Sequence, residues 1–282
     1  MTGAPRPLPL APSGFYWTRE SWGSALRCRP LEAIAPHLFT TRELDVPSPA
    51  AWAQLAPLVG ASADRFVVLN QVHGREVVVI RSGIAEDVLR QMQQQRPAAD
   101  AFVSDARDVA VVVRAADCVP LLIGDRATGA VAAVHAGWRG TAARAAVAAI
   151  DAMAREFGSA PANLIVAIGP AIGPCCYEVG SDLVDAFAAA GHERYLIDRW
   201  FTTPRDSRMR LNVPGANRDQ LILAGVPEHH IFSVELCTAE HLDVLTSYRA
   251  EKEHATRIAG VIRASAAATA PGKRSQSSGN RG

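Results

Sequence analysis

The chain alternates between two kinds of hydrophobic pattern. Short apolar, β-branched runs at Phe66–Leu69, Glu76–Ile80, from Val109 to Ala115, Gly129–Val134, Leu164–Ile168, Ile231–Thr238 and Arg257–Arg263 are bounded by Gly, Pro, Asn or Asp and predict buried strands. Phe15 to Arg29, with Phe15, Tyr16, Trp17 and Trp22, predicts a first strand pair. Helical spacing governs Ala50 to Leu58, Glu86 to Gln95 before Pro97, and Ser181 to Ala190, where Ser181 or Asp182 is the candidate N-cap. From Thr141 the stripe Val147, Ile150, Met153, Phe157 predicts another helix, capped by Gly158. These elements do not alternate regularly and no G-x-G-x-x-G is present, which argues against a doubly wound dinucleotide fold.

The 282 residues suffice for a large core. The expected organisation is a disordered leader over 1–14, which holds four prolines, one catalytic domain over 15–263, and a disordered Ala-, Ser- and Gly-rich tail over 264–282. A formal net charge of +1 with scattered basic residues offers no nucleic-acid groove. No apolar run reaches the length of a membrane span, and the N-terminus has no hydrophobic signal segment. Five widely spaced cysteines are unlike a disulfide framework, so reduced thiols and a cytoplasmic location are expected.

Two of the strand-like runs each deliver a metal-type ligand at a polar break: Cys118 after the first and His135 at the end of the second. A thiolate and an imidazole at strand ends suit zinc, or the nucleophile and base of a cysteine hydrolase. His73, in the turn Asn70-Gln-Val-His-Gly74, supplies a third ligand, and three ligands with one open position define a catalytic zinc site. The bland alternative is two satisfied core histidines and a buried thiol. After His135, Gly137 and Gly140 allow close backbone approach, and the following helix start with Arg139 is a candidate phosphate or ribose contact.

Four motifs in order, Asn70-Gln-Val-His-Gly74, Ala116-Asp-Cys-Val-Pro120, Val134-His-Ala-Gly-Trp-Arg-Gly-Thr141 and Ile168-Gly-Pro170 with Gly173-Pro-Cys-Cys-Tyr-Glu-Val-Gly180, resemble the YfiH family over roughly Phe15 to Ile262. That family is also known as the laccase-like polyphenol oxidoreductases and the peptidoglycan editing factors. The resemblance implies an α+β single domain of mixed β-sheets flanked by helices, including one from Asn212 to Ala224. It implies phosphorolysis of purine nucleosides (adenosine, inosine, guanosine, methylthioadenosine) with phosphate, and deamination of adenosine. The metal ligands would be His73, Cys118 and His135; the catalytic candidates Cys118, Glu178 and Arg139; the substrate contacts Arg42, Asn70, Gln71, Gly137, Arg139 and Arg249. Asp100 would either orient a ligand histidine or cap a turn. The chain departs from the family pattern after Arg42, where a glycine-rich loop is missing, and after Arg249, where Ala250 to His254 replaces the usual segment.

Other readings stay open at this point. An amidase acting on peptidoglycan precursors would use the same zinc, or Cys118 with His135. A copper-dependent phenol oxidase is chemically weaker, because the eight histidines form no His-X-His pair, although a soft site can take copper. A structural zinc module would close the fourth position with Cys175 or Cys176. These two adjacent cysteines are not expected to pair with each other; Tyr177 and Trp138 either stack on a flat heterocycle or pack in the core; His229 and His230 are expected at the surface. Nothing in the sequence fixes the oligomeric state.

Overall fold

The structure is a computed structural model that describes residues 8–203 and 207–266. In chain order its strands are β1 (Phe15–Glu20), β2 (Gly23–Cys28), β3 (His37–Thr40), β4 (Phe66–Val68), β5 (Val77–Ile80), β6 (Ala101–Ser104), β7 (Ala110–Ala115), β8 (Val119–Asp125), β9 (Val131–Ala136), β10 (Leu164–Ile168), β11 (Phe201–Thr202), β12 (Arg210–Leu211), β13 (Ile231–Ser233) and β14 (Ile258–Arg263). Two mixed six-stranded sheets result, ordered β1-β2-β3-β14-β7-β4 and β13-β10-β8-β9-β6-β5, with β11 and β12 forming a small ribbon. Helices flank both sheets, as the α+β expectation required.

Strand alternation explains the layering. On β9, Val131 and Ala133 face the other sheet, whereas Ala132, Val134 and Ala136 face the helix Ala145–Phe157 and its neighbours. Leu122 on β8 joins the inter-sheet layer, and Leu121 and Ile123 the helix side. Because both faces are covered, β8 and β9 read as continuous apolar runs. The outer face of the first sheet is closed by the helix Pro49–Val59, whose N-cap Ser48 accepts from Ala51 N–H. Inter-sheet packing is close enough that a Cβ at Gly169 would stand 2.4 Å from the Phe39 ring.

Some expectations are corrected. The helix forecast from Thr141 begins earlier, at Trp138–Ala142, and restarts at Ala145 after Arg144 takes φ 59°; the Arg144 guanidinium is anchored on the carbonyls of Ala190 and Gly191. The late strand from Ile231 is shorter, ending at Ser233, beyond which Cys237 makes only an isolated bridge with Ala171. The first half of the expected leader (1–7), and the expected tail beyond Ala266, lie outside the described residues; Ala264 at the start of that tail is buried, and within the leader Leu8 and Ala11 pack on the inter-sheet core and the Pro9 carbonyl accepts from Trp17 Nε1 at 2.8 Å. His230 is buried rather than at the surface.

The topology also decides where chemistry can sit. The chain passes from the first sheet to the second between β4 and β5 and again between β7 and β8, and returns between β6 and β7 and between β13 and β14. The two outward passages carry His73 and Cys118, the last return carries Arg249 and Lys252, and the β9 terminus brings His135 to the same seam.

Candidate metal centre

At the seam one ligand atom each from His73, Cys118 and His135 lies within 4.8 Å of the others. The two imidazoles meet edge to face with centroids 5.0 Å apart. The backbone is bent to achieve this: His73 has φ 63° and Asp117, immediately before the cysteine, φ 91°. Positive φ in residues with side chains is uncommon and concentrates at functional sites. Register fixes the third ligand, because His135 pairs with Pro120, two residues beyond Cys118, across the β8–β9 ladder.

Asp100 organises the cluster from behind. One carboxylate oxygen accepts from His135 Nδ1 at 2.8 Å and from the His73 backbone N–H at 3.0 Å; the other accepts from the N–H groups of Gly74 (2.6 Å) and Val72 (3.3 Å). The aspartate therefore performs both roles weighed from sequence, capping the turn and orienting a histidine. With Nδ1 turned to Asp100, Nε2 of His135 is the nitrogen left for a metal, the arrangement common to histidine ligands. Burial opposes the charge on Asp100, but His135 and the turn N–H groups outweigh it and hold its carboxyl below the usual range.

The electrostatics match the donor set. Burial pushes the Cys118 thiol up, yet hydrogen bonds from His135 and His73 prevail and bring it down to about 6. Burial pushes His135 down, whereas Asp100 and Cys118 prevail and raise it to about 9. Both directions favour a thiolate beside an imidazolium. Two imidazoles and a thiolate are zinc ligands by type. Gly137 keeps the cradle open: a Cβ there would stand 2.8 Å from Cys118 Sγ and 3.2 Å from the His73 ring.

A cavity of about 580 Å³ opens on the cluster. Of the residues singled out from sequence, Asn70, Gln71, His73, Cys118, His135, Tyr177 and Arg249 line it. Gln71 is fixed by a pair of bonds to the Arg114 backbone, at 2.9 and 2.7 Å. The Arg249 backbone N–H donates to Asp117 at 2.6 Å, its guanidinium donates to the Glu178 carbonyl at 2.9 Å, and it lies 5.0 Å over the Tyr177 ring.

Other candidates stand apart. Arg42 donates to the Leu245 carbonyl and pairs with Glu251 at 2.9 Å; it braces the Leu242–Glu251 segment without itself lining the cavity. Arg139 is exposed and stacks on Trp138, and Glu178 is exposed with its carboxylate 3.2 Å from Arg208; neither lines the cavity. The close approach permitted by Gly137 and Gly140 is made to the protein itself, to Cys118 Sγ and the Gly74 carbonyl. Sequence reading passed over Arg114, Asp117, Lys252 and Arg257, which line the cavity together with Tyr177 and Tyr248. Only the positive φ of Asp117 marks any of them, and that is invisible in sequence. Among the described residues, one further cluster has metal-binding spacing, Cys175 with Cys176 and Cys237, and it contains no histidine. No helix of the described residues is long and apolar enough to cross a membrane.

The chain is similar to several known proteins. A purine nucleoside phosphorylase of Deinococcus radiodurans is 35% identical over 210 residues, covering 68% of this chain and 76% of that one. The purine nucleoside phosphorylase YlmD of Geobacillus stearothermophilus is 32% identical, covering 74% and 76%. An adenosine deaminase, RL5, from an unknown prokaryotic organism is 31% identical, covering 74% and 79%. Among solved structures, YfiH of Bacillus licheniformis superposes with a TM-score of 0.77 at 24% identity, over 88% of this chain and 99% of that one, and the YlmD crystal structure with 0.75 at 27%, over 88% and 98%. The family described as multi-copper polyphenol oxidoreductase laccase matches residues 49–265, a span that holds all three ligands, Asp100 and the cavity lining. By sequence and by fold, therefore, the chain belongs to this laccase-like YfiH family.

Proposed function

We propose that the chain is a zinc-dependent purine nucleoside phosphorylase that also deaminates adenosine. The observation that carries this reading is the His73–Cys118–His135 cluster at the floor of a cavity bordered by cationic and aromatic side chains. Bound zinc supplies a Lewis acid and a water activated at neutral pH. The chain's own residues do the binding. Arg114, Arg249, Lys252 and Arg257 give the cavity a positive wall suited to phosphate, with Arg249 set in place by Asp117 and the Glu178 carbonyl. Tyr177 and Tyr248 offer flat faces for a purine. The names of the relatives at 31–35% identity support the same pair of reactions.

In this reading Asp117 and the Glu178 carbonyl position Arg249, and Arg42 and Arg139 stand outside the cavity lining. The cavity is lined on one side by the segment after Arg249, which supplies Lys252, so its departure from the family pattern retains positive charge.

The test is incubation of the purified protein with adenosine, with and without phosphate. Adenine and ribose 1-phosphate are expected only with phosphate; inosine is expected from deamination, and hypoxanthine from it only when phosphate allows phosphorolysis. His73→Ala, Cys118→Ala and His135→Ala should each lose bound zinc and both activities. Absence of all these products from zinc-loaded wild type overturns the proposal; release of amino acid from a muramyl-peptide precursor in the same assays would point to the amidase instead.

A further inference from the structure

The second cluster lies at the same end of the second sheet as the first, toward its β13 edge, where the parallel neighbours β10 and β13 end side by side. Their following loops stay paired: Ala171 N–H donates to the Leu236 carbonyl and Thr238 N–H to the Ala171 carbonyl. That pairing places Cys237 against the turn Gly173-Pro-Cys-Cys, in which the N–H groups of Cys176 and Tyr177 both donate to the Gly173 carbonyl. The three sulfurs of Cys175, Cys176 and Cys237 fall within 4.8 Å of one another, and all three are free thiols.

Several features show a pocket built around sulfur. The Gly173 N–H donates to Cys237 Sγ at 3.3 Å, the kind of contact that stabilises an anionic thiolate. A Cβ at Gly173 would stand 3.2 Å from Cys175 Sγ and 3.6 Å from Cys237 Sγ, so glycine leaves the sulfurs room to converge. The Arg210 guanidinium binds the Cys175 carbonyl at 2.9 Å and brings positive charge to an otherwise electron-rich group. Exposure is graded from Cys175 at the surface to Cys237, 4% exposed, and Cys237 also lines a separate cavity of about 490 Å³ through which solvent reaches it.

We infer that Cys175, Cys176 and Cys237 form a second metal site, a three-sulfur site for the soft cation Cu(I). A metal–sulfur bond of about 2.3 Å in a trigonal set spaces the sulfurs by about 4.0 Å, within reach of the observed cluster by small side-chain rotations. Softness selects Cu(I) or Zn(II) over hard cations. Coordination number then separates the two. Structural zinc is almost always four-coordinate, and among the described residues no fourth His, Cys or carboxylate joins the group. Binding releases thiol protons as the metal–sulfur bonds form, with no change in oxidation state.

The experiment is an anaerobic titration of the reduced full-length protein with Cu(I) buffered by a chromophoric chelator, in a Cys118→Ala background that disables the first centre. The parent should hold about one Cu(I) per chain with near-ultraviolet sulfur-to-metal absorption, and adding Cys175→Ser or Cys237→Ser should remove about that one equivalent. Cys175→Ser tests the surface ligand, so the outcome does not depend on whether the buried Cys237→Ser variant folds. Retention of the equivalent in Cys175→Ser, or uptake of Zn(II) in preference to Cu(I) by the parent, would overturn the assignment.

Discussion

Two clusters of ligand-type side chains stand at the loops of one sandwich, and they are made differently. The His73–Cys118–His135 centre has mixed nitrogen and sulfur donors, a buried carboxylate behind it and a large cavity before it. The Cys175–Cys176–Cys237 group has sulfur alone, held by a tight turn and one N–H donor. The difference shows in the thiols. Cys118 is brought down because two imidazoles face it, whereas burial and the neighbouring sulfurs raise Cys175, exposed though it is. The surroundings of Cys118 favour its thiolate, whereas those of Cys175 oppose it, so a cation at the second cluster has protons to displace.

The largest break in this contrast should come from Asp100→Ala. Removing the carboxylate frees His135 to rotate and leaves the N–H groups of His73 and Gly74 without their acceptor, so zinc affinity should fall roughly 10- to 100-fold. Chelator competition measures this, and Cu(I) uptake at the three-sulfur group should not change. An unaltered zinc affinity would show that the histidine is held by packing alone.

A matched pair of glycine substitutions sharpens the comparison at the next level. Gly137→Ala drives a methyl to 2.8 Å from Cys118 Sγ and should cost about 1–3 kcal/mol in denaturant unfolding, together with zinc. Gly173→Ala, whose nearest sulfur is 3.2 Å away on an exposed residue, should cost less. Equal losses would mean that both cradles are equally rigid.

The smallest effect concerns pH. Because the Cys118 thiol is lowered to about 6, its reactive thiolate is present above that pH and lost as pH falls through it. In metal-free protein, alkylation of Cys118 should therefore rise with a midpoint near 6, while Cys175, raised above the ordinary thiol, should label slowly throughout the neutral range. Peptide mass spectrometry after brief labelling across pH resolves the two; a common midpoint would contradict the contrast.

The convergence of His73, Cys118 and His135 was legible as a candidate because each sits in a motif at the end of an apolar run, and residue type alone limits what such a trio can do. The second cluster was not, since Cys237 lies more than 60 positions from Cys175 and only the parallel pairing of β10 with β13 brings them together. Arg42 was misplaced for a related reason: a motif reveals that an arginine occurs, but its bonds to Leu245 and Glu251 depend on how the segment before β14 folds back.

By itself the sequence determined where most strands and helices fall, the absence of a dinucleotide fold and which residues are candidate metal donors, because periodicity and side-chain chemistry are local properties. Tertiary structure alone decided that two sheet crossovers and one strand end share a seam, that Asp100 supports it, and that Arg114, Lys252 and Arg257 wall the cavity. Those facts rest on which distant segments pack together, and packing is settled by the whole core at once rather than by any stretch of the chain.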